Sequence, residues 1–180
     1  LAKMQESDPF RSIPVIVLTA QVLTQNEMAH LNQSIAAVLQ KGLFTAEETL
    51  AHIQQALARD KRLGGETRRM VCKVMAFIHE NYAQSISREE MACYVSVSAR
   101  HLTRCFHLDM GISPITYLNR YRVKKAKQLL EAGEQNITEI AAAVGFSSSN
   151  YFTDAFRRET GMSPRDYQRQ QQSVLHGRVA

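Results

Sequence analysis

Two stretches of this chain repeat one another at a spacing of about fifty residues, and this duplication limits the fold more than any other feature. The first runs Ser87-Arg-Glu-Glu-Met-Ala-Cys-Tyr-Val-Ser-Val-Ser98 and continues, after Ala99, as Arg-His-Leu-Thr-Arg-Cys-Phe106. The second runs Asn136-Ile-Thr-Glu-Ile-Ala-Ala-Ala-Val-Gly-Phe-Ser-Ser148 and continues, after Ser149, as Asn-Tyr-Phe-Thr-Asp-Ala-Phe156. Ala92 matches Ala141 and Val95 matches Val144. One extra residue then enters the second copy, after which Leu102, Thr103 and Phe106 match Phe152, Thr153 and Phe156. Gly111, Ser113, Pro114 and Tyr117 match Gly161, Ser163, Pro164 and Tyr167.

Each copy reads as helix, tight turn, helix. Ser87 with Glu90, and Asn136 with Glu139, have capping-box spacing at the start of the first helices. Ala92 and Ala141 are small enough to let two helices approach closely. Gly145 suits the left-handed residue that ends a helix, and Ser96 holds the same place at a steric cost. Ser98 and Ser148 cap the second helices. Leu102 with Phe106, and Phe152 with Phe156, are core-facing pairs one turn apart. Gly111 and Gly161 stop those helices, and Ser113-Pro114 and Ser163-Pro164 start the next ones, with Ser as cap and Pro in the first turn. A helix from Ile115 to Glu131 joins the copies, with Ile115, Leu118, Arg122, Ala126, Leu129 and Leu130 on one face and Arg122 the one polar member. At about 1.5 Å per residue it is roughly 25 Å long, enough to hold two second helices about one DNA turn, roughly 34 Å, apart. An earlier helix carries the apolar stripe Val71, Val74, Met75, Ile78 and Tyr82.

Charge supports a polyanionic partner for this part of the chain. Residues 1–60 hold four Lys/Arg and six Asp/Glu, whereas residues 61–180 hold eighteen and eleven.

Residues 66–170 resemble the DNA-binding domain of the AraC/XylS family. The resemblance is carried by Ile140-Ala141, Val144-Gly145-Phe146, Tyr151-Phe152, Phe156-Arg157-Arg158, Gly161, Ser163-Pro164 and Tyr167, with Arg122, Ala126, Leu129 and Leu130 in the linker helix. It implies seven helices, two recognition helices entering successive major grooves of double-stranded DNA, and contact with RNA polymerase.

Subtracting the core face leaves Ala99, Arg100, Thr103, Arg104 and His107 outward on the first recognition helix. Arg100 and Arg104 can each bond guanine O6 and N7 with two donors, and Thr103 can meet a thymine methyl or a phosphate. The second helix offers Ser149, Asn150, Thr153 and Asp154. Asn150 has the bidentate geometry for adenine, while Asp154 stands where the first copy has Arg104, so weaker reading is expected there. Ser98, Ser148, Lys124, Lys125 and Arg157 are the candidate phosphate contacts, which position without reading sequence.

The first sixty residues follow a different pattern. Ile13 to Leu18 and Ile35 to Leu39 read as short buried strands, and Thr24-x-x-Glu27 and Thr45-x-x-Glu48 as capping boxes, the latter opening a helix with Leu50, Ile53 and Leu57 as its stripe. Leu63-Gly64-Gly65 reads as a linker. The order strand, helix, strand, helix resembles the C-terminal half of a response-regulator receiver domain. That resemblance implies a switch hydroxyl at Thr19 and an active-site lysine at Lys41; Gly42 stands where a proline usually follows and Val38 where an aromatic often lies. The other reading is a structural α/β remnant that associates with a partner, a second copy included, through its open sheet edge.

The expected architecture is therefore mainly α: two helix-turn-helix units joined by a long linker helix, with a small partial β-α-β-α segment in front. The expected domains are 1–60, a linker at 61–65, the DNA-binding domain at 66–172 and a flexible tail at 173–180. No catalytic constellation or glycine-rich phosphate loop is present, so no enzymatic activity and no cofactor are expected. His101, Cys105 and Asp109 are spaced four apart, but three cysteines without paired spacing read as structural thiols, and no metal is expected. The chain starts at Leu1, with no signal-peptide pattern and no apolar run near the roughly 20 residues of a membrane span. It reads as a cytoplasmic piece of a longer protein. The expected function is a sequence-specific transcription regulator, the output end of a hybrid two-component or response-regulator protein. The alternative is a DNA-binding appendage of an enzyme or kinase whose catalytic part precedes residue 1.

Overall fold

The computed structural model describes residues 15–20, 27, 37–58, 65–133 and 135–176. In chain order its elements are β1 (Ile16–Thr19), β2 (Ala37–Gln40), α1 (Ala46–Ala58), α2 (Gly65–Asn81), α3 (Arg88–Tyr94), α4 (Ala99–Met110), α5 (Pro114–Ala132), α6 (Ile137–Ala143), α7 (Ser149–Thr160) and α8 (Pro164–His176). The chain is mainly helical with a small strand content, as the repeat and its flanking patterns predict. Seven helices, α2 to α8, span the repeated region.

The chain divides into two compact units. Among the described residues, one contains those up to Glu80 together with Arg88–Pro114, and the other contains Asn81–Ser87 and those from Ile115 onward.

In the first unit β1 and β2 pair in parallel, with Ile16 opposite Ala37 and Thr19 opposite Gln40. Thr19 is the last residue of β1 rather than a residue beyond it, because the ladder continues through the Lys41 N–H to the Thr19 carbonyl at 2.7 Å. The Thr24-x-x-Glu27 helix lies outside the described residues except for Glu27, which is helical. The Thr45 capping box is formed in both directions: Thr45 N–H donates to Glu48 Oε2 at 3.0 Å, and Glu48 N–H to Thr45 Oγ1 at 3.2 Å. The stripe expected on α1 is rotated. Leu50 is 56% exposed, whereas His52 is buried with its ring edge-on to Phe44 at 4.9 Å. Ile53 of the expected stripe is half-buried, and the buried position on this turn is taken by His52 against the half-buried Phe44. The core behind the first repeat consists of Val71, Val74, Met75 and Ile78 of α2, Met91 and Ala92 of α3, and Leu102, Cys105, Phe106 and Met110 of α4.

The second unit has its own core. Val123, Ala126 and Leu130 of α5, Ile140 and Ala141 of α6, Val144 and Phe146 of the turn, and Phe152, Ala155 and Phe156 of α7 form one cluster. Phe146, Phe152, Phe156 and Tyr167 make a run of ring contacts with centroids 5.2, 5.6 and 5.5 Å apart. Tilted and edge-on rings of this kind add packing enthalpy beyond their buried area. Helix ends follow the glycines: Gly111, Gly133 and Gly161 adopt φ of 64°, 75° and 79° after α4, α5 and α7. Two helices run further than the sequence boundaries suggest. Gly65 opens α2, and α8 continues to His176 because no Pro or Gly interrupts it before Gly177.

Candidate nucleic-acid interface

The two turns are built alike. In the first, Ser96 N–H donates to Cys93 O at 2.9 Å and Val97 N–H to Ala92 O at 3.0 Å; in the second, Gly145 N–H donates to Ala142 O at 3.0 Å and Phe146 N–H to Ala141 O at 2.9 Å. The left-handed residue is Ser96 at φ 58° in one copy and Gly145 at φ 87° in the other. The copies stay in step through Val97 and Phe146, so the extra residue of the second copy is Ser147, just before the cap.

Ser98 and Ser148 then cap the second helix of each unit with extended backbone. Ser98 Oγ accepts from His101 N–H, and Ser148 Oγ from Tyr151 N–H, both at 3.2 Å. The first turn of a helix has N–H groups without an intrahelical partner and favours an anion, which makes the capped starts of α4 and α7 the anion-favouring ends of these helices. In α6 the Asn136 capping box closes in both directions: Asn136 N–H donates to Glu139 Oε2 at 3.0 Å, and Glu139 N–H donates to Asn136 Oδ1 at 2.9 Å.

On α4, Arg100, Arg104 and His107 are exposed, and Leu102, Cys105 and Phe106 are buried, as the repeat predicts. Thr103 is half-buried and its hydroxyl donates to Ala99 O at 2.9 Å. This leaves its methyl and its oxygen lone pairs for an outside partner. Arg104 Nη2 lies 3.4 Å from His101 Nδ1, and His101 Nε2 lies 3.4 Å from Cys105 Sγ. Since a guanidinium only donates, Nδ1 is the acceptor and the Nε2 proton faces sulfur. His101 thus steadies Arg104. Asp109, the third member of the spacing, is drawn to Arg68 at 3.7 Å, and no group of three metal-ligating side chains occurs among the described residues.

On α7, Asn150, Asp154, Arg157 and Arg158 are exposed. Ser149 Oγ donates to Thr138 Oγ1 at 3.3 Å, tying α7 to α6, and Thr153 Oγ1 donates to Ser149 O at 2.8 Å, the counterpart of Thr103. The two lysines of α5 expected at phosphates differ. Lys124 is half-buried, and desolvation, with Lys125 beside it, lowers its ammonium pKa. Lys125 holds its Nζ 5.9 Å from the Tyr82 ring centroid and 5.6 Å from that of Tyr121. Thr19 and Lys41 lie side by side at the end of the parallel pair, joined through the backbone.

Sequence reasoning missed what holds the second unit together. Arg122, only 5% exposed, donates from Nε to Tyr82 O at 2.9 Å and from Nη2 to Gln84 O at 2.7 Å, and its guanidinium lies 5.4 Å from the Phe146 ring centroid. Those carbonyls are among the unpaired acceptors that follow the end of α2. Arg120 pairs with Glu159 at 3.0 Å, and Tyr167 donates to Glu131 at 2.8 Å, so α5 is tied to both α7 and α8. A polar residue on an otherwise apolar helix face was the available signal for Arg122; nothing local marked the others.

A helix-turn-helix domain family matches residues 91–170. Over 103 residues the chain is 39% identical to the HTH-type transcriptional activator RhaS of Klebsiella pneumoniae, covering 57% of this chain and 37% of that protein. The chain spans between about a third and a half of the length of the curated relatives it matches, with 51% covered in RhaS of Escherichia fergusonii. Among solved structures it is similar to a transcriptional regulator with an AraC-type DNA-binding domain from Chromobacterium violaceum, at 29% identity and TM-score 0.53, over 59% of this chain and 95% of that one. It is also similar to the C-terminal domain of AraT, a response regulator from Geobacillus stearothermophilus, at 34% identity and TM-score 0.53, over 61% of this chain and 88% of that one. Paired turns with matching caps, a linking helix and these relatives agree: through its C-terminal region the chain belongs to the AraC family of helix-turn-helix DNA-binding domains.

Proposed function

We propose that the whole protein is a sequence-specific transcription regulator in which this chain supplies the DNA-binding output, with α4 and α7 each entering a major groove. The observation that carries the reading is the doubled serine-capped helix whose outward face bears Arg100, Thr103 and Arg104 in one copy and Ser149, Asn150, Thr153 and Asp154 in the other. In this reading those residues meet base edges, while Ser98, Ser148, Lys124, Lys125 and Arg157 meet phosphates. The DNA-binding module is assigned to the run of helices from Gly65 to His176, a little longer at both ends than the 66–172 read from the sequence, and the segment 1–60 is assigned to the input side.

The input side of the proposal is a two-component one. It is supported by the adjacent ends of β1 and β2, which bring Thr19 and Lys41 together, and by the likeness to the C-terminal domain of a response regulator. Cytoplasmic location, contact with RNA polymerase and self-association through the N-terminal segment complete the proposal; no helix among the described residues is long and apolar enough to cross a membrane. A gel-shift series with duplex DNA at several salt concentrations tests it. Tight binding to an enriched duplex that falls linearly on a log–log salt plot is expected. Equal affinity for enriched and random duplexes would refute sequence-specific regulation.

A further inference from the structure

Tyr151 sits in the first turn of α7, three residues after the cap, where the first copy has His101. Its ring packs edge-on against Phe146 at 5.5 Å, yet the residue remains 41% exposed. Its hydroxyl oxygen accepts a hydrogen bond from Asn119 Nδ2 of α5 at 2.7 Å. A phenol oxygen that accepts from an amide keeps its own proton for another partner. Ring and oxygen are therefore both held, and a donor is left over on an exposed residue three positions after the α7 cap. We propose that Tyr151, oriented by Asn119, is a DNA phosphate contact of the second unit: its hydroxyl donates to a backbone oxygen flanking the site entered by α7.

The proposal rests on the reading of α7 as a DNA-entering helix. It also gives a physical role to the asymmetry of the two copies. In the first copy His101 braces Arg104, a cationic side chain on the exposed face. In the second copy the place of Arg104 is taken by Asp154, a carboxylate that phosphates repel. A neutral hydroxyl donor anchored to the linker helix holds the backbone without needing a cation at that position. Because no cation is added, this contact releases no counterion, which separates it from the lysine and arginine contacts.

The test uses the full chain and a duplex enriched from a randomised pool. Tyr151→Phe keeps the ring and its packing and removes only the hydroxyl. It is expected to weaken binding to the enriched and the random duplex by the same factor, roughly tenfold, with the salt slope unchanged. Asn119→Asp presents only acceptors, turns the phenol proton inward and should reproduce most of that loss. A scan of single methylphosphonate substitutions should find one backbone position where wild type loses affinity and Tyr151→Phe does not. Unchanged affinity of Tyr151→Phe, or equal sensitivity of both proteins at every backbone position, would overturn the contact. Failure of the wild-type chain to bind duplex DNA would instead overturn the DNA-binding reading beneath it.

Discussion

Arg122 Nε donates to the carbonyl oxygen of Tyr82 at 2.9 Å, joining residues forty positions apart in the chain. The same guanidinium reaches Gln84 O at 2.7 Å, so one buried cation satisfies two acceptors beyond the end of α2. Burial lowers the pKa of this guanidinium, but the side chain remains charged because its ordinary value is so high. Arg122→Ala would leave both carbonyls without this donor and a void beside Phe146. A loss of about 2–4 kcal/mol in unfolding free energy is expected, read from urea denaturation. Arg122→Lys should recover less than half, because a point charge cannot reproduce the fork.

The left-handed turn residues should respond in opposite directions. A Cβ at Gly145 would collide with the Tyr82 carbonyl oxygen and lie 2.9 Å from the Ala83 carbonyl carbon and oxygen. Gly145→Ala adds this clash to an unfavourable φ of 87° and should cost at least about 2 kcal/mol. Ser96 already carries a side chain at φ 58°, so Ser96→Gly should be neutral or stabilising by up to about 1 kcal/mol. Thermal unfolding of the two variants checks the contrast.

Stability should fall at high pH through the phenols of buried Tyr121 and half-buried Tyr167. Burial, with Tyr82 as a smaller contributor, pushes the Tyr121 pKa to about 12, and burial followed by the hydrogen bond to Glu131 pushes Tyr167 to about 12. An unfolded phenol titrates near about 10. The folded state therefore prefers the neutral phenol. That contribution is complete below about pH 10 and is lost as pH rises through about 12. Urea midpoints measured from pH 8 to 12 should decline over that window, and Tyr121→Phe should flatten the decline.

Base reading and phosphate contact separate by their salt dependence. Arg104→Ala should weaken binding to an enriched duplex by about 1–3 kcal/mol and relax preference at one base pair. Lys124→Ala should weaken all sequences alike and lower the salt slope by about one. An unchanged ratio of specific to random affinity in Arg104→Ala would remove Arg104 from the readers.

The exposed carboxylate on α7 leads to an expected ranking of the two half-sites. Asp154→Ala should preserve or tighten binding, while Arg100→Ala should loosen it, and base changes should be better tolerated at the second half-site. Binding measured across single-base variants of both half-sites decides this. A marked loss in Asp154→Ala would make the carboxylate a cytosine reader and invert the ranking.

The sequence by itself determined the helices, their caps and the outward faces of the repeated region. These depend on contacts within four residues: Ser98 and Ser148 to the third N–H beyond, glycines at left-handed ends, apolar pairs one turn apart. The tertiary structure alone decided what those local rules leave open. Leu50 follows a helical stripe yet faces out, while His52 of the same helix is buried against Phe44. Arg122 reads as a flaw in an apolar face until the chain brings Tyr82 and Gln84 to it. Lys125, a phosphate candidate by charge, holds its ammonium near two tyrosine rings, and Asn119 finds Tyr151 thirty-two residues away. Helix type and phase are properties of a few consecutive residues. Which buried polar group meets which is set by where distant segments pack, and no periodicity encodes that distance.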